Sequence, residues 1–318
     1  MWREITLKIA NNKLNVAIFV SIMIALIVAT IATALFTILF KVFQLKGING
    51  FYAILVNYVV AFLWGCLLSF QGIGISNPIK EEWLPLAIAV GLIFILGMVA
   101  LDTCTDKVGV SISTVSSRAS MVISIIICYF LIPGSDRPNW IAILIVILSL
   151  AMILDIGKGR VSGRKSGSTI LWTAIVFVMF GLSNAMLKVM QYKIGVAYSP
   201  LGGNLVSYMN ALATSVIFIS ALVFGLIMLI IKPAGKRARF TGKDILGGTI
   251  LGTANFFATF LLIEAMKSID SAILFPAHNA GIVAIGAIVG WKAFKEPRSW
   301  MQIAGMILAT GAIVWLCI

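Results

Sequence analysis

The chain has 318 residues, of which 61% are hydrophobic and 11% are charged, and its formal net charge is +13. Soluble domains carry about 25% charged residues, so this chain has too few to cover a water-exposed surface. Together with a mean hydropathy of +1.08, this excludes a soluble domain. The basic residues stand in short clusters between long apolar runs, which is typical of the cytoplasmic loops of membrane proteins and argues against a nucleic-acid partner.

Ten apolar segments follow one another along the chain and predict ten transmembrane helices. A helix that crosses the roughly 30 Å hydrocarbon core needs about 20 apolar residues, and no segment shows the alternation of an outer-membrane barrel. Glycine, proline, asparagine and charged residues fill the loops, and a short polar tail, 1–15, precedes the first helix. The predicted helices are 18–43, 51–70, 83–103, 110–131, 139–156, 169–191, 204–231, 245–266, 271–292 and 299–317.

The two halves of the chain resemble each other in sequence. The first predicted helix ends with KVFQLK at 41–46 and the sixth with KVMQYK at 188–193, which agree at four of six positions. Residues 91–119 align with 252–280 at an offset of 161, and the tryptophans that open the fifth and tenth helices match at an offset of 160. Because the matches fall in order across both halves, they indicate an internal repeat.

Each half holds five predicted helices, an odd number, so the second half enters the membrane from the opposite side. The halves are then expected to be related by a pseudo-two-fold axis in the membrane plane. The predicted fold class is therefore all-α integral membrane, with ten transmembrane helices as two inverted five-helix repeats. The first repeat is 16–157, a basic linker is 158–168, and the second repeat is 169–318.

Three predicted helices carry polar or small residues at steps of three and four, which place side chains on one helix face, and a fourth helix, the ninth in the chain, also carries polar or small residues. Polar residues inside a membrane are costly and usually face a cavity or another helix. The stripes are Thr30, Thr33, Thr37, Lys41 and Gln44 on the first helix, Ser113, Ser117, Ser120 and Ser124 on the fourth, Gly181, Asn184, Lys188 and Gln191 on the sixth, and Pro276, Asn279 and Gly286 with the single histidine, His278, on the ninth.

Arg118 lies roughly a third to halfway along the fourth predicted helix, too deep for its charge to reach the interface easily. Burying it without a partner would cost about 3 kcal/mol or more. The repeat alignment pairs Arg118 with Asn279 and Ser117 with His278, so each half places its most polar pair at one equivalent depth. This arrangement predicts a substrate site in the middle of the membrane.

The predicted substrate-binding residues are Thr37, Lys41, Ser117, Arg118, Asn184, Lys188, His278 and Asn279. Structural alternatives exist for them. Arg118 can form an ion pair with Asp102 or Asp106, the two lysines can extend to the membrane interface, and His278 can be a hydrogen-bonded packing residue rather than a proton shuttle. The serine stripe can be small-residue helix packing, and Glu264 and Asp102 can be interfacial.

The sequence shows no nucleophile–base pair, phosphate loop, dinucleotide fingerprint or metal-ligand cluster. It therefore predicts neither an enzyme nor an ATP-driven pump, and no metal or cofactor. The four cysteines, Cys66, Cys104, Cys128 and Cys317, have neither metal-ligand spacing nor a disulfide framework, and are predicted to be small packing residues.

Two five-helix halves, each with a proline and a tryptophan at the entry to its last helix, resemble the drug/metabolite transporter superfamily. The C-terminal stretch is similar to the EamA-like repeat, in which a proline-bearing ninth helix precedes a glutamate-marked turn and a glycine-rich tenth helix. The residues that carry this similarity are Ala272, Phe275, Pro276, Gly286, Gly290, Glu296, Gln302, Gly305 and Gly311.

The resemblance covers about 16–318 and implies ten helices around a central cavity, alternating access and no bound cofactor. Members of the superfamily move amino acids, sugars, nucleotide sugars, phosphorylated sugars and drugs, and their cavity helices would place the polar stripes at the site. This chain departs from common members by its Arg118 and by a weakly basic loop at 71–82.

The leading hypothesis is a secondary transporter for a small polar, anionic metabolite, because Lys41, Arg118 and Lys188 would give a cavity a positive potential. The alternatives are a proton-coupled drug or amino-acid exporter, in which His278 or Glu264 titrates, a lipid-intermediate flippase, and a non-transporting scaffold. The expected partners are a small-molecule substrate and membrane lipids. The expected assembly is a monomer or a homodimer, as a multi-pass protein of the bacterial inner membrane.

The basic residues also predict orientation. Of the 24 lysines and arginines, Lys41, Arg118 and Lys188 lie inside predicted helices and seven lie on the side of the termini. This leaves 14 on the other side, counting Lys292 at the very end of the ninth helix. The positive-inside rule then puts both termini outside the cytoplasm, whereas the family resemblance implies the opposite. With a C-terminal reporter that is active only in the cytoplasm, we expect no activity, and strong activity would contradict the charge count. The seven are Arg3, Lys8, Lys13, Lys80, Arg137, Lys193 and Lys267.

Overall fold

The computed structural model describes residues 2–70, 81–133, 140–153, 166–231, 239–266, 271–295 and 300–315, and these contain no β-strand, which confirms the all-α prediction. The helices are α1 Trp2–Lys46, α2 Gly50–Ser69, α3 Leu84–Val108, α4 Val110–Ala119, α5 Met121–Leu131, α6 Trp140–Ile153, α7 Ser166–Tyr198, α8 Gly203–Ile231, α9 Gly242–Ala265, α10 Ser271–Lys292 and α11 Trp300–Trp315, with a 3-10 turn at Ser199–Leu201.

Each of the ten predicted segments overlaps one of these helices, except that the fourth overlaps both α4 and α5, which meet at Ser120. The first helix begins at Trp2, so the residues predicted to form a polar tail continue the helix. The sixth predicted segment, α7, extends to Tyr198 instead of ending near 191. An apolar run marks only the part of a helix that faces hydrocarbon, whereas the helix itself continues until its backbone is capped. Most of the predicted linker lies outside the described residues, and 166–168 begin α7.

Among the described residues, seven stretches are long and apolar enough to cross a membrane, and they lie in α1, α2, α3, α7, α8, α9 and in α4 and α5 together. Their outer faces carry large exposed apolar side chains, such as Leu63 and Leu67 on α2 and Ile230 and Ile231 on α8. Surface of this kind is unfavourable against water and suits lipid tails. The chain is therefore an all-α, multi-pass membrane protein.

The interior is held by helices from both halves of the chain. Helix α2 packs against α8 and α9, α3 packs against α7 and α8, α1 packs against α9 and α10, and α6 packs against α11. At the centre the ring of Phe218 lies 6.1 Å from Tyr58, 6.0 Å from Phe94 and 6.3 Å from Phe256, measured between ring centroids. The halves therefore share one core instead of forming two separate domains.

Glycines let four of these helices approach each other closely. A Cβ atom added at Gly252 of α9 would lie 2.6 Å from the carbonyl oxygen of Asn57 in α2 and 3.0 Å from its Cα. A Cβ atom added at Gly91 of α3 would lie 2.6 Å from the carbonyl oxygen of Ile217 in α8. Backbone atoms cannot rotate aside as the end of a side chain can, so both helix crossings depend on the missing Cβ.

The buried carboxylate of Asp244 joins the start of α9 to the loop between α1 and α2. Its Oδ1 accepts a hydrogen bond from the backbone N–H of Asn49 at 2.7 Å. Its Oδ2 accepts from the backbone N–H and the hydroxyl of Thr241, at 2.7 and 2.9 Å, in a capping box at the start of α9. The C-terminal end of α1 is therefore held beside the N-terminal end of α9.

Replacing Gly252 with alanine should destabilise the fold, because α9 must move away from the backbone of α2. We expect the free energy of unfolding to fall by about 1–3 kcal/mol, the usual range for overpacking, although alanine favours a helix more than glycine does. Thermal unfolding of the purified protein in detergent measures the change. The control is Gly311→Ala in α11, where an added Cβ meets no atom within 4 Å. Equal stability of the two variants would contradict the close crossing.

Candidate functional site

A cavity lies among six helices, α1, α3, α4, α7, α9 and α10, and the empty space counted with it, which includes open solvent, is about 570 Å³. Its polar lining residues are Thr33, Arg118, Ser183, Asn184, Asn255, Thr259 and His278. Its other lining residues are apolar or glycine, among them Phe36, Ile93, Phe94, Gly97, Met98, Met179, Phe180, Leu187 and Leu262. A mostly apolar wall with a few polar groups is typical of sites that bind small molecules.

Arg118 reaches this cavity from the point where α4 ends and α5 begins. The hydroxyl of Ser120, between the two helices, donates to the carbonyl oxygen of Ser117. The Arg118 side chain is 4% exposed, and its Nε donates to the Ser117 hydroxyl at 3.1 Å. The guanidinium carbon lies 5.4 Å from the centroid of the Phe180 ring. These contacts hold the plane of the guanidinium against α7 and leave its charge at the cavity wall.

The described residues provide no carboxylate within ion-pair distance of Arg118 and no hydrogen-bond acceptor for its two terminal nitrogens. Asp102, one predicted ion-pair partner, instead lies against Gly50 at the start of α2, where an added Cβ would be 2.4 Å from its Oδ2. Asp106, the other, is exposed. A buried guanidinium without a counter-ion is unfavourable in a membrane protein, so the cavity offers an unfilled place for an anion.

His278 lines the same cavity from α10. Its Nδ1 lies 3.0 Å from the hydroxyl oxygen of Thr30, and that hydroxyl donates its one hydrogen to the carbonyl oxygen of Leu26 at 2.7 Å. Nδ1 must then carry the hydrogen, which leaves Nε2 as an acceptor. Nε2 is buried and has no partner among the described residues. This tautomer follows from the hydrogen-bond pattern and makes Nε2 the group available to a bound molecule or a proton.

Of the eight predicted site residues, the structure places Arg118, Asn184 and His278 in the cavity wall. Ser117 lies behind the wall and accepts from Arg118, and its own hydroxyl donates to the carbonyl oxygen of Thr114 at 2.9 Å. Asn279 is buried and its Nδ2 donates to the sulfur of Met121 at 3.5 Å. Thr37 is buried in α1 but is not a lining residue.

The two predicted lysines do not line the cavity, and they lie toward opposite ends of the helix bundle. Lys188 donates to the carbonyl oxygen of Met266, directly after the C-terminal end of α9, at 3.4 Å. Lys41 lies near the C-terminal end of α1, which Asp244 holds beside the N-terminal end of α9. Helix α9 has 24 residues and is therefore about 36 Å long. The three cations predicted to converge on one cavity are thus separated, and only Arg118 reaches the wall.

Sequence reasoning did not predict the walls formed by α3 and α9. Phe94, Met98, Asn255 and Thr259 face the cavity from these two helices. Phenylalanine and methionine in an apolar helix resemble core residues. Asn255 and Thr259 are four residues apart, and two polar residues do not form a long polar stripe. The repeat alignment was the available signal, because an offset of 161 pairs Phe94 with Asn255 and Met98 with Thr259.

No family model matches the chain. An uncharacterized protein of Haemophilus influenzae (strain ATCC 51907 / DSM 11121 / KW20 / Rd) is 24% identical over 284 residues, which are 87% of this chain and 91% of that protein. A solved crystal structure matches with a TM-score of 0.56 and 11% sequence identity, over 92% of this chain and 95% of the other. The fold therefore occurs in a known structure over nearly its full length.

Replacing Arg118 with glutamine should leave stability unchanged or raise it, because the change removes a buried charge that has no carboxylate partner. Thermal unfolding of the purified variant measures this. A structural ion pair would give the opposite result, since the loss of Arg118 would leave a buried carboxylate unpaired. Adding Asp102→Asn or Asp106→Asn provides the control, because rescue of a destabilised Arg118→Gln by either change would show that the pair exists.

Proposed function

We propose that the protein is a secondary transporter that moves a small, polar, anionic metabolite across the membrane by alternating access. The observation that carries the proposal is the guanidinium of Arg118, buried in the wall of a cavity among apolar helices with no carboxylate nearby in the described residues. An ionisable residue inside a membrane is retained mainly for function, and an anionic ligand would neutralise this one.

We further propose that the chain has ten spans arranged as two inverted repeats. The cavity wall supports the repeat, because its positions come in counterpart pairs. At the offset of 161, Phe94 corresponds to Asn255, Gly97 to Ala258 and Met98 to Thr259, and all six residues line the cavity. The lining helices form three such pairs: α1 with α7, α3 with α9, and α4 with α10. A cavity on a pseudo-two-fold axis would be lined in this way.

The glycine contacts give a second, independent support for the two-fold relation. A Cβ added at Gly65 of α2 would meet Ser215 of α8 at 2.2 Å, and one added at Gly225 of α8 would meet Leu55 of α2 at 2.6 Å. At an offset of 160, Gly65 corresponds to Gly225 and Leu55 to Ser215, so the two contacts are exchanged by swapping the halves.

The contacts of Gly91 and Gly252 exchange in the same way. Gly91 approaches Ile217 and Ser220 of α8, whereas Gly252 approaches Asn57 and Val60 of α2, and both partners differ by 160. Two halves with equivalent contacts can exchange roles, so one arrangement opens the cavity to one side and its mirror-like counterpart opens it to the other. This supports alternating access. We propose in addition that the chain is an EamA-like member of the drug/metabolite transporter superfamily in a bacterial inner membrane.

Proton coupling is the second candidate, and one observation favours it: the unpartnered Nε2 of His278 in the cavity wall. The other residue considered for this role, Glu264, is held by helix α8. Its Oε2 accepts from the Ser207 hydroxyl at 2.9 Å and its Oε1 accepts from Asn210 Nδ2 at 3.1 Å. Glu264 is not a lining residue, so His278 is the group through which a proton would be coupled to transport.

Alternating access can be tested before the substrate is known. In a chain without native cysteines, Ser183→Cys places a single thiol in the cavity wall, and a membrane-impermeant maleimide is added to sealed vesicles of either orientation. We expect labelling from both sides of the membrane, because each state exposes the cavity to one side. Labelling from one side only, or from neither, would contradict alternating access. A cysteine at Leu201, exposed in the turn between α7 and α8, is the control for leakage of the reagent, because it should be labelled from one side only.

Transport itself is tested in proteoliposomes with a ligand that raises the unfolding temperature in a screen of metabolites. Preloading the vesicles with this ligand should speed uptake of its labelled form, without ATP, because exchange needs no hydrolysis. Uptake that occurs only with ATP, together with ATP hydrolysis by the purified chain, would refute a secondary mechanism.

A further inference from the structure

The charge of the cavity wall restricts the ligand more narrowly than to anions in general. Arg118 is the only charged side chain among the described lining residues, apart from the titratable His278. One carboxylate would neutralise it. A phosphate monoester carries about 1.5–2 negative charges at neutral pH and would bring excess negative charge into a low-dielectric site. A single cation therefore favours a ligand with a single negative charge.

The wall also lacks a group that would bind a positive charge on the ligand. No aspartate or glutamate lines the cavity in the part of the chain that the structure describes. The ammonium of an amino acid would then be desolvated beside the guanidinium of Arg118 without an acceptor of opposite charge. A plain anion avoids this cost, and a zwitterion or a cation does not.

Helices α3 and α9 line the cavity with side chains of different polarity. Helix α3 contributes Phe94 and Met98, whereas the counterpart positions of α9 contribute Asn255 and Thr259. A sugar, which is polar on all sides, would leave hydroxyl groups against the phenylalanine and the methionine without hydrogen bonds. A ligand with an apolar body and a polar end matches both sets of side chains.

The charged group of the cavity wall lies close to an apolar surface of the same wall. The guanidinium of Arg118 lies over the Phe180 ring with 5.4 Å between its carbon and the ring centroid, and both residues line the cavity. A carboxylate bound to the guanidinium would therefore have an aromatic surface directly beside it. This favours a ligand whose apolar part begins within a few bonds of its carboxylate.

We propose that the cavity binds an organic monoanion in which one carboxylate is joined to an apolar body of about the size of an aromatic ring. The carboxylate lies at Arg118, and the apolar body lies against Phe94, Met98 and Phe180. This names the substrate class of the proposed transporter, and it rests on that function only for the statement that the bound molecule is carried across the membrane.

Four compounds with one common body test the proposal by titration calorimetry on the full purified chain. They are 3-phenylpropanoate, its neutral amide, the zwitterion phenylalanine, and 2-phenylethyl phosphate. We expect 3-phenylpropanoate to bind at least roughly tenfold more tightly than the other three, because only it matches both the charge and the apolar wall. Equal or tighter binding of any of the other three, or no binding of 3-phenylpropanoate, would overturn the proposal.

Three variants locate the bound molecule. Arg118→Gln should weaken binding of 3-phenylpropanoate roughly tenfold or more, and Arg118→Lys should weaken it too, because the charge remains but the planar fork is lost. Phe94→Asn, which introduces the residue of the counterpart position, should also weaken it. Lys46→Gln, which removes an exposed cation, is the charge control and should bind as the unchanged protein does. Binding that is unaffected by both Arg118→Gln and Phe94→Asn would overturn the proposal.

The same compounds separate this proposal from the transport function. If 3-phenylpropanoate binds as expected but preloaded proteoliposomes show no exchange of it, the site stands and the transport function fails. If the proteoliposomes exchange another solute while 3-phenylpropanoate does not bind, transport stands and the ligand class proposed here is wrong.

Discussion

The close approach of α2, α3, α8 and α9 at glycine positions is the constraint on which the rest of this structure depends. Without a hydrophobic effect to drive helices together inside lipid, packing at short range must hold them, and missing Cβ atoms make that range accessible. Gly91 and Gly252 lie against backbone atoms of the neighbouring helix, closer than a Cβ could approach, and Gly65 and Gly225 lie against side chains that would have to move to admit a Cβ. Two helices of this frame, α3 and α9, line the same cavity.

This frame places a charge where the surrounding structure does not compensate it. Ser117 and Phe180 orient the guanidinium of Arg118, but neither carries an opposite charge. Stability alone would favour a neutral residue at this position, because an unpaired ion in a low-dielectric interior is costly. A ligand that supplies the missing charge recovers that cost when it binds. A neutral residue at position 118 would therefore favour stability, whereas the arginine favours binding of an anionic ligand.

Counterpart positions with different chemistry give the cavity its polarity. In the proposed repeat Phe94 corresponds to Asn255 and Met98 to Thr259, and the paired side chains differ in polarity although all four line the cavity. Ser117 and His278 are related in the same way: one orients Arg118 from behind the wall, and the other reaches the cavity with an unpartnered nitrogen. The proposed two-fold relation therefore does not extend to the side chains of the site.

The sequence by itself determined the membrane character, the positions of the helices and the candidate status of Arg118, Asn184 and His278. Hydropathy reports burial in lipid directly, and a deep charge or a polar stripe is costly enough to be visible in one helix at a time. The tertiary structure alone decided that Lys41 and Lys188 lie toward opposite ends of the bundle, that Arg118 has no ion pair with Asp102, and that Phe94 and Phe180 belong to the cavity. These facts depend on which helices meet and at what height, and contacts between distant segments leave no mark in the pattern of either segment.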